Sequence, residues 1–538
     1  MPVRAPALGV PCPSAKGRFM QRAGGSPGPT PPQSSAVGEK GLKGGALSLV
    51  SSVAIGLAST APAYSLAATL GFIVLAVGLQ SPVIVILGFI PMLFIAHAYK
   101  SMNSVDADCG TTFSWSARAF GPRTGWMGGW GIIIADIIVM ANLAQIAGQY
   151  GFQLVGADGL AESRWWTAFA GVIWIAVMTA ICYIGIEISA ALQKWLLSIE
   201  LVLLAILSIT ALVKAYGDNA PAESLHVAAS WFNPFEIGSA SALTQGVLLA
   251  VFIYWGWDTA VAVNEETADR ERTPGRAAVI STVLLLLIYL LVTTSAQAFA
   301  GIGETGIGLA NPDNAGDVLG SFGDEVFGTE GFGEFLVKML FLMVLTSAAA
   351  STQTTILPTA RTTFSMATHK ALPSVFARVH PRFLTPTWST VAMGLASIAF
   401  YVGLTAISGN VLEDSIASVG LAIAFYYGLT GFACVWYFRK ILTRSVRDLF
   451  MKGVFPLLGA LMLLGLFCYA AFHVYSDPEY GTTIIDLPWL GETGGVSVIG
   501  IGALVLGGVL MLIQRVVQGS WFRNPDVPVG AASKSSPR

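Results

Sequence analysis

Charge is scarce in this sequence. Its 538 residues carry 29 Lys and Arg and 31 Asp and Glu, 11% of the chain, where a soluble domain carries roughly 25%. Hydrophobic residues make up 54%, and mean hydropathy is +0.68. So few charges over so long a chain exclude a water-soluble catalytic domain and a disordered protein. A net charge of −2 offers no basic footprint for a nucleic acid. Cysteine is also scarce: Cys12, Cys109, Cys182, Cys434 and Cys468, with no CxxC pair. That argues against a disulfide framework or a zinc site and for small buried apolar side chains. The chain lacks HExxH, Walker A and a Gly-x-Gly-Asp context around its apolar-run acids. Gly301-Ile302-Gly303-Glu304-Thr305-Gly306 spells GxGxxG, but in an acidic loop with no strand pattern before it. No catalytic residue, metal or cofactor is expected, and with no Walker A no ATP-driven step is expected either.

Long apolar runs are what the chain has instead. At about 20 residues per crossing they make twelve expected spans: 46–77, 81–99, 125–153, 165–186, 190–214, 241–266, 276–300, 334–366, 387–407, 411–438, 451–473 and 494–516. The fold class expected is an all-α polytopic membrane protein. Residues 1–44 hold eight Pro and eight Gly with Arg18, Arg22, Lys40 and Lys43. No apolar stretch follows those early charges, so they read as a disordered cytoplasmic tail and not a cleaved signal. Residues 520–538 read the same way.

The charges orient the spans. With the N-terminus inside, the only Lys or Arg that fall outside are Arg164, Lys214 and Lys338. The 301–333 loop holds Glu304, Asp313, Asp317, Asp324, Glu325 and Glu330 and no base. The Lys and Arg distribution decides orientation. Both termini are thus expected to be cytoplasmic, in a multi-pass protein of the plasma (inner) membrane.

Two spans are interrupted. The first reads Ser59-Thr60-Ala61-Pro62-Ala63-Tyr64, and Pro62 cannot continue a helix behind it. The sixth reads Tyr254-Trp255-Gly256-Trp257-Asp258-Thr259. The breaks are five spans apart, so repeats 45–214 and 240–440 would have opposite topology, with 449–516 supplying two further spans. Broken helices at matching positions of inverted halves point to a transporter's binding site. Broken helices also favour alternating access over a channel, for which no pore-loop motif is present.

The residues after the second break resemble the amino acid–polyamine–organocation family, in its bacterial permease branch. They are Gly256-Trp257-Asp258, Glu265-Glu266, Arg272 and Pro274. Arg361, Met366 and Ala371-Leu372-Pro373 match it too, as do Val379-His380-Pro381-Arg382-Phe383 and Thr385-Pro386. The resemblance covers roughly 40–475. It implies a leucine-transporter-like fold of two inverted five-span repeats and secondary active import of an amino acid or related amine. Asp269-Arg270 departs from the family's Asn-Pro, and Thr368-His369-Lys370 from its Arg-Asp-Gly. The first break lacks the Gly-x-Gly that many members use for a substrate carboxylate, which leaves amino acid and amine both open.

At such a site, half-helix amides suit a carboxylate and half-helix carbonyls suit an ammonium or sodium ion. The substrate-binding candidates are Ser59, Thr60, Ala61, Pro62, Tyr64, Tyr254, Trp255, Gly256, Trp257 and Asp258. Ser59 and Thr60 offer hydroxyls. Tyr254 and Trp255 offer a lid or cation–π wall, whereas Trp257 either joins them or packs behind the break. Asp258 either receives an amine or stabilises the break. Asp136 and Glu200 are lone acids in apolar runs, by default functional, with hydrogen-bonded packing as the other reading. Proton-coupled relatives carry a span-five lysine near the position of Glu200. A proton on Glu200 is the coupling expected; a sodium ion completed by Ser347 or Ser351 and uncoupled exchange are the alternatives. The partners expected are thus a small-molecule substrate, a proton or sodium ion and the bilayer.

Overall fold

A bilayer core offers no water to backbone N–H and C=O groups, so an apolar run that crosses it bonds internally as helix. The computed structural model describes residues 40–328, 330–407, 411–474, 484–487 and 491–523. The helices are α1 (Leu49–Thr60), α2 (Pro62–Val77), α3 (Ser81–Asn103), α4 (Thr112–Phe120), α5 (Pro122–Leu154), α6 (Asp158–Ala161), α7 (Arg164–Ile184), α8 (Ile186–Ala215), α9 (Ala240–Tyr254) and α10 (Thr259–Ala262). They continue as α11 (Thr273–Ala300), α12 (Val318–Phe327), α13 (Phe332–Thr368), α14 (Thr387–Ile407), α15 (Val411–Phe438), α16 (Val446–Leu449), α17 (Phe455–Tyr469), α18 (Gly495–Val517) and α19 (Gly519–Arg523). A two-stranded antiparallel hairpin, β1 (Ile484–Leu487) and β2 (Gly491–Gly494), pairs Ile484 with Gly494. The chain is an all-α polytopic membrane protein.

Among the described residues, 11 helical runs are long and apolar enough to cross a membrane. The first, Leu49–Asn103, has 55 residues. That is about 80 Å of helix, more than twice a ~30 Å hydrocarbon core. The expected twelve spans count this run as two.

The buried fraction sorts the helices. In the most apolar window of α5, 94% of residues are buried, against 33% for α7 and for α8 and 28% for α18. α5 is therefore the central helix, and α7, α8 and α18 present Trp195, Val213, Val516 and similar side chains outward. α3 packs on α11, α5 on α13 and α7 on α14. α15 packs on α5, α8 on α13, α1 on α11 and α9 on α3.

Local features add to or differ from the sequence expectations. The loop after α3 folds back through α4, with Trp115 fully buried and its Nε1 donating to Asp106 O at 2.9 Å. Both expected tails, 1–44 and 520–538, are also encroached on by ordered structure. Leu42 is buried beside Cys109 and Phe364, and Trp521 of α19 is buried with its ring stacked on Phe113 at 5.6 Å. Burying such apolar side chains is enough to pin a short segment. The remainder of both tails, with Cys12, Arg18 and Arg22, lies outside the described residues. Cys109, Cys182 and Cys434 are buried as expected, but Cys468 is exposed on the outward face of α17.

Candidate functional site

Ala61 is where the first span breaks. It takes a left-handed conformation (φ 45°, ψ 69°), ends α1 and starts α2, with Pro62 at the first helical position. Proline is at ease there because that amide has no intrahelical partner. A helix end leaves four carbonyls unpaired, and all four at α1 find partners nearby. Leu57 O accepts from Thr60 Oγ1 at 2.7 Å and Ala58 O from Ala61 N at 3.3 Å. Ser59 O accepts from Ser351 Oγ at 2.9 Å and Thr60 O from Ser65 Oγ at 2.5 Å.

The start of α2 is filled in the same way. Ala63 N donates to Glu200 Oε1 at 2.7 Å, and Tyr64 N donates to Ser347 Oγ at 3.2 Å. Ser347 Oγ also donates to Glu200 Oε1 at 2.8 Å. Glu200 is fully buried, and its Oε2 has no partner among the described residues. The positive end of α2 thus faces a resident carboxylate. The expectation that these amides stand free for a substrate carboxylate is not met in this conformation. Tyr64 OH donates to Asn142 Oδ1, and Asn142 Nδ2 donates to Ser415 Oγ at 3.1 Å.

The second break runs through Trp255, Gly256, Trp257 and Asp258, between α9 and α10. Gly256 has φ +118°, and a Cβ there would lie 2.8 Å from the Ser59 carbonyl carbon and oxygen. The two breaks therefore touch at Gly256 and Ser59. Ser59 Oγ also bonds Thr259 Oγ1 at 2.9 Å. Both strain and contact oppose a side chain at this position. Gly256→Ala is expected to abolish transport while full-length protein still inserts; uptake against an expression control checks this.

The aromatic candidates divide. Tyr254 and Trp257 are fully buried, whereas Trp255 keeps 7% of its surface. Tyr254 packs against Phe89 and Tyr289, with ring centroids 6.0 and 5.1 Å away. Trp257 sits edge-on to Tyr99 and tilted on Tyr427, both at 5.1 Å, so it packs behind the break. Trp255 Nε1 donates to Tyr426 OH. Asp258 accepts from Tyr426 OH at 3.1 Å and Tyr427 OH at 2.9 Å. Two hydroxyls on one carboxylate fit the reading that Asp258 stabilises the break.

Asp136 on α5 accepts from Thr359 Oγ1 on α13 and is nearly fully buried. Ser347, Ser351, Thr355 and Thr359 recur every four residues along α13. That spacing lines up one face of a helix. It could have flagged Thr359 as well as the two serines. Tyr426 and Tyr427 give no comparable signal, because adjacent residues on a helix face different ways.

Below the breaks lies a charged layer. Arg361, on α13, is the one buried Lys or Arg among the described residues. Its Nε and Nη2 meet the two Glu266 oxygens at 3.0 Å each. Lys40 Nζ contacts Asp108 at 2.8 Å and Glu265 at 2.7 Å, and His369 Nε2 lies 2.9 Å from Asp108. Burial works against the Lys40 charge, yet Asp108 and Glu265 hold its ammonium well above the usual lysine range. Burial likewise pushes Asp108 up, but Lys40 and His369 outweigh it and hold the carboxyl well below the usual range. Burial, helped by Asp108, pushes Asp106 up to about 7 despite Arg118 at 2.9 Å. Ligand atoms of Asp108, Cys109 and Glu265 lie within 4.8 Å of one another, but the Lys40 ammonium already fills the cation role there. Lys370 takes φ +63°, where the resembled family's glycine would be unstrained.

A family model described as "Amino acid permease" matches residues 46–510. The chain belongs to the amino acid permease family. An uncharacterized transporter of Mycobacterium tuberculosis is 24% identical over 417 residues, 76% of this chain and 79% of that one. The low-affinity putrescine importer PlaP of Escherichia coli is 23% identical over 448 residues, 82% of this chain and 90% of the importer. The branched-chain amino acid permease BcaP of Lactococcus lactis is 25% identical over 217 residues, 37% of this chain and 44% of its own length. The permease match spans both broken helices and every candidate site residue.

Proposed function

We propose that this permease is a secondary active importer of an amino acid or related amine, working by alternating access and coupled to protons at Glu200. The carrying observation is the Glu200 carboxylate. It holds the α2 start through Ala63 N and reaches α13 through Ser347, with one oxygen unpartnered. A charge at that point favours the α2 amides staying put. A proton removes the charge and loosens that hold, so protonation and movement of the half-helix become linked. A sodium ion at this place would need α1 carbonyls, and Ser351 and Ser65 hydroxyls occupy the two at Ser59 and Thr60.

The inverted-repeat arrangement is supported by the pairing of helices. Spans two, three and four each pack on the span five places later: α3 on α11, α5 on α13, α7 on α14. The cross pairs also match, α8 on α13 and α15 on α5. An internal two-fold axis produces such a pattern. The charge distribution of the loops supports cytoplasmic termini, and a plasma-membrane location is part of the same reading.

Three buried mid-span charges, Asp136, Glu200 and Asp258, are all acidic, and the α2 amides are occupied. That balance favours the amine end of the substrate range, the end occupied by the related putrescine importer. Trp255 and Tyr426 stand beside Asp258 as the cation–π surface. The test is binding to purified protein without any gradient. Mono- and diamines are expected to raise the thermal midpoint more than neutral zwitterionic amino acids of equal length. Asp136→Asn is expected to weaken amine binding roughly tenfold, the loss of one charge-assisted contact of about 1.5 kcal/mol. A stronger response to the zwitterions would move the assignment to an amino acid.

A further inference from the structure

A cavity with several charged side chains in its lining lies away from the helix breaks. It has a volume of about 570 Å³ and sits between the Lys100 end of α3 and the segment leading into α17. Its lining includes His97, Lys100, Arg447 and Lys452, with Asp448 as the one acid. Lys452 Nζ already meets Asp448 at 2.8 Å and lies 4.9 Å over the Phe438 ring. Lys100 and Arg447 have no ion pair within 4 Å among the described residues, and the one carboxylate of the lining, Asp448, is shared between Lys452 and the neighbouring Arg447, so the cavity keeps an excess of positive charge. His97 Nδ1 bonds Leu93 O at 2.9 Å, which leaves Nε2 for another partner. Ser445 Oγ accepts from Asp448 N at 3.0 Å and keeps its own proton to donate.

The surroundings place this cavity at a membrane surface. Val446 is 74% exposed, and Leu449 and Phe450 are exposed beside it. Such side chains beside Arg447 and Lys452 gain nothing from water and fit the acyl boundary of a bilayer. Trp436 and Tyr437 are exposed at the end of α15, with Arg439 4.2 Å over the Trp436 ring. Aromatic and basic residues together mark the headgroup level.

We propose that this cavity binds the phosphate headgroup of an anionic glycerophospholipid, with Lys100 and Arg447 on the phosphate and the acyl chains along Val446, Leu449 and Phe450. Basic pockets between membrane helices suit such headgroups. A phosphate on a lipid and a free phosphate ion share the chemistry; the exposed apolar rim is what selects the lipid.

The test is thermal unfolding of the full-length protein in zwitterionic detergent, titrated with short-chain phosphatidylglycerol, phosphatidylcholine or inorganic phosphate. Phosphatidylglycerol is expected to raise the midpoint saturably, with little response to the other two. Lys100→Gln/Arg447→Gln is expected to weaken the apparent affinity tenfold or more with the lipid-free midpoint unchanged. Should the double variant not purify, each single variant is expected to lose part of the response. A wild-type response in these variants, or an equal response to phosphatidylcholine, overturns the proposal. An equal response to inorganic phosphate overturns the lipid assignment.

Discussion

Glu200→Gln is expected to abolish uphill uptake driven by an imposed pH difference. Gln keeps an oxygen for Ala63 N and Ser347 Oγ, so the break stays held and substrate still binds. It has no proton to exchange. One proton moving down a one-unit pH difference supplies about 1.4 kcal/mol, a tenfold concentration ratio. In proteoliposomes clamped at zero potential, wild-type accumulation should approach that ratio. The variant should stop at equal concentrations inside and out. Exchange of internal for external substrate should continue in both. Unchanged uphill uptake in the variant would remove Glu200 from the coupling. Accumulation in wild type that follows a sodium gradient instead would replace the proton.

Arg361→Met is expected to be the most destabilising single substitution in the charged layer. The guanidinium and the Glu266 carboxylate meet through two bonds of 3.0 Å, and both are fully buried. Removing one partner leaves the other charged in a dry site, at a cost of about 3–5 kcal/mol. Glu266 also ties down the chain before α1, because its carbonyl accepts from Leu47 N at 3.1 Å. Loss should therefore appear as a lower thermal midpoint and a lower yield after detergent extraction. Arg361→Met combined with Glu266→Leu should recover most of the loss, because no lone charge remains. If the double variant is as unstable as the single, the pair contributes by geometry and not by charge balance.

Much of this molecule is legible along the chain. A bilayer makes span length, helix continuity and loop charge local properties, and local properties can be read residue by residue. The expected spans 387–407 and 411–438 coincide with α14 and α15. The breaks were expected at Pro62 and Gly256 and lie there, at a left-handed Ala61 and at φ +118°. Arg361 and the Glu265-Glu266 pair were each visible as family residues, but nothing in the sequence paired Arg361 with Glu266 and Lys40 with Glu265. The α4 fold-back was not legible either, because Thr112–Phe120 has no long apolar run and forms by burying Trp115.

The sequence by itself determined the class of the protein, where its helices cross and where two of them break. It also singled out Asp136, Glu200 and Asp258 as charges with no place in the loops. Tertiary structure alone decided which groups those acids bond. Glu200 lies 137 residues from the amide it holds, and Ser347 lies 283 residues from Tyr64. Asp258 answers to two tyrosines on α15, and Asp136 to a threonine on α13. Such partners are chosen by which helix faces meet. The long helices here are apolar on most sides, so apart from the Ser347, Ser351, Thr355 and Thr359 row on α13 little periodicity in the chain marks the face that will turn inward.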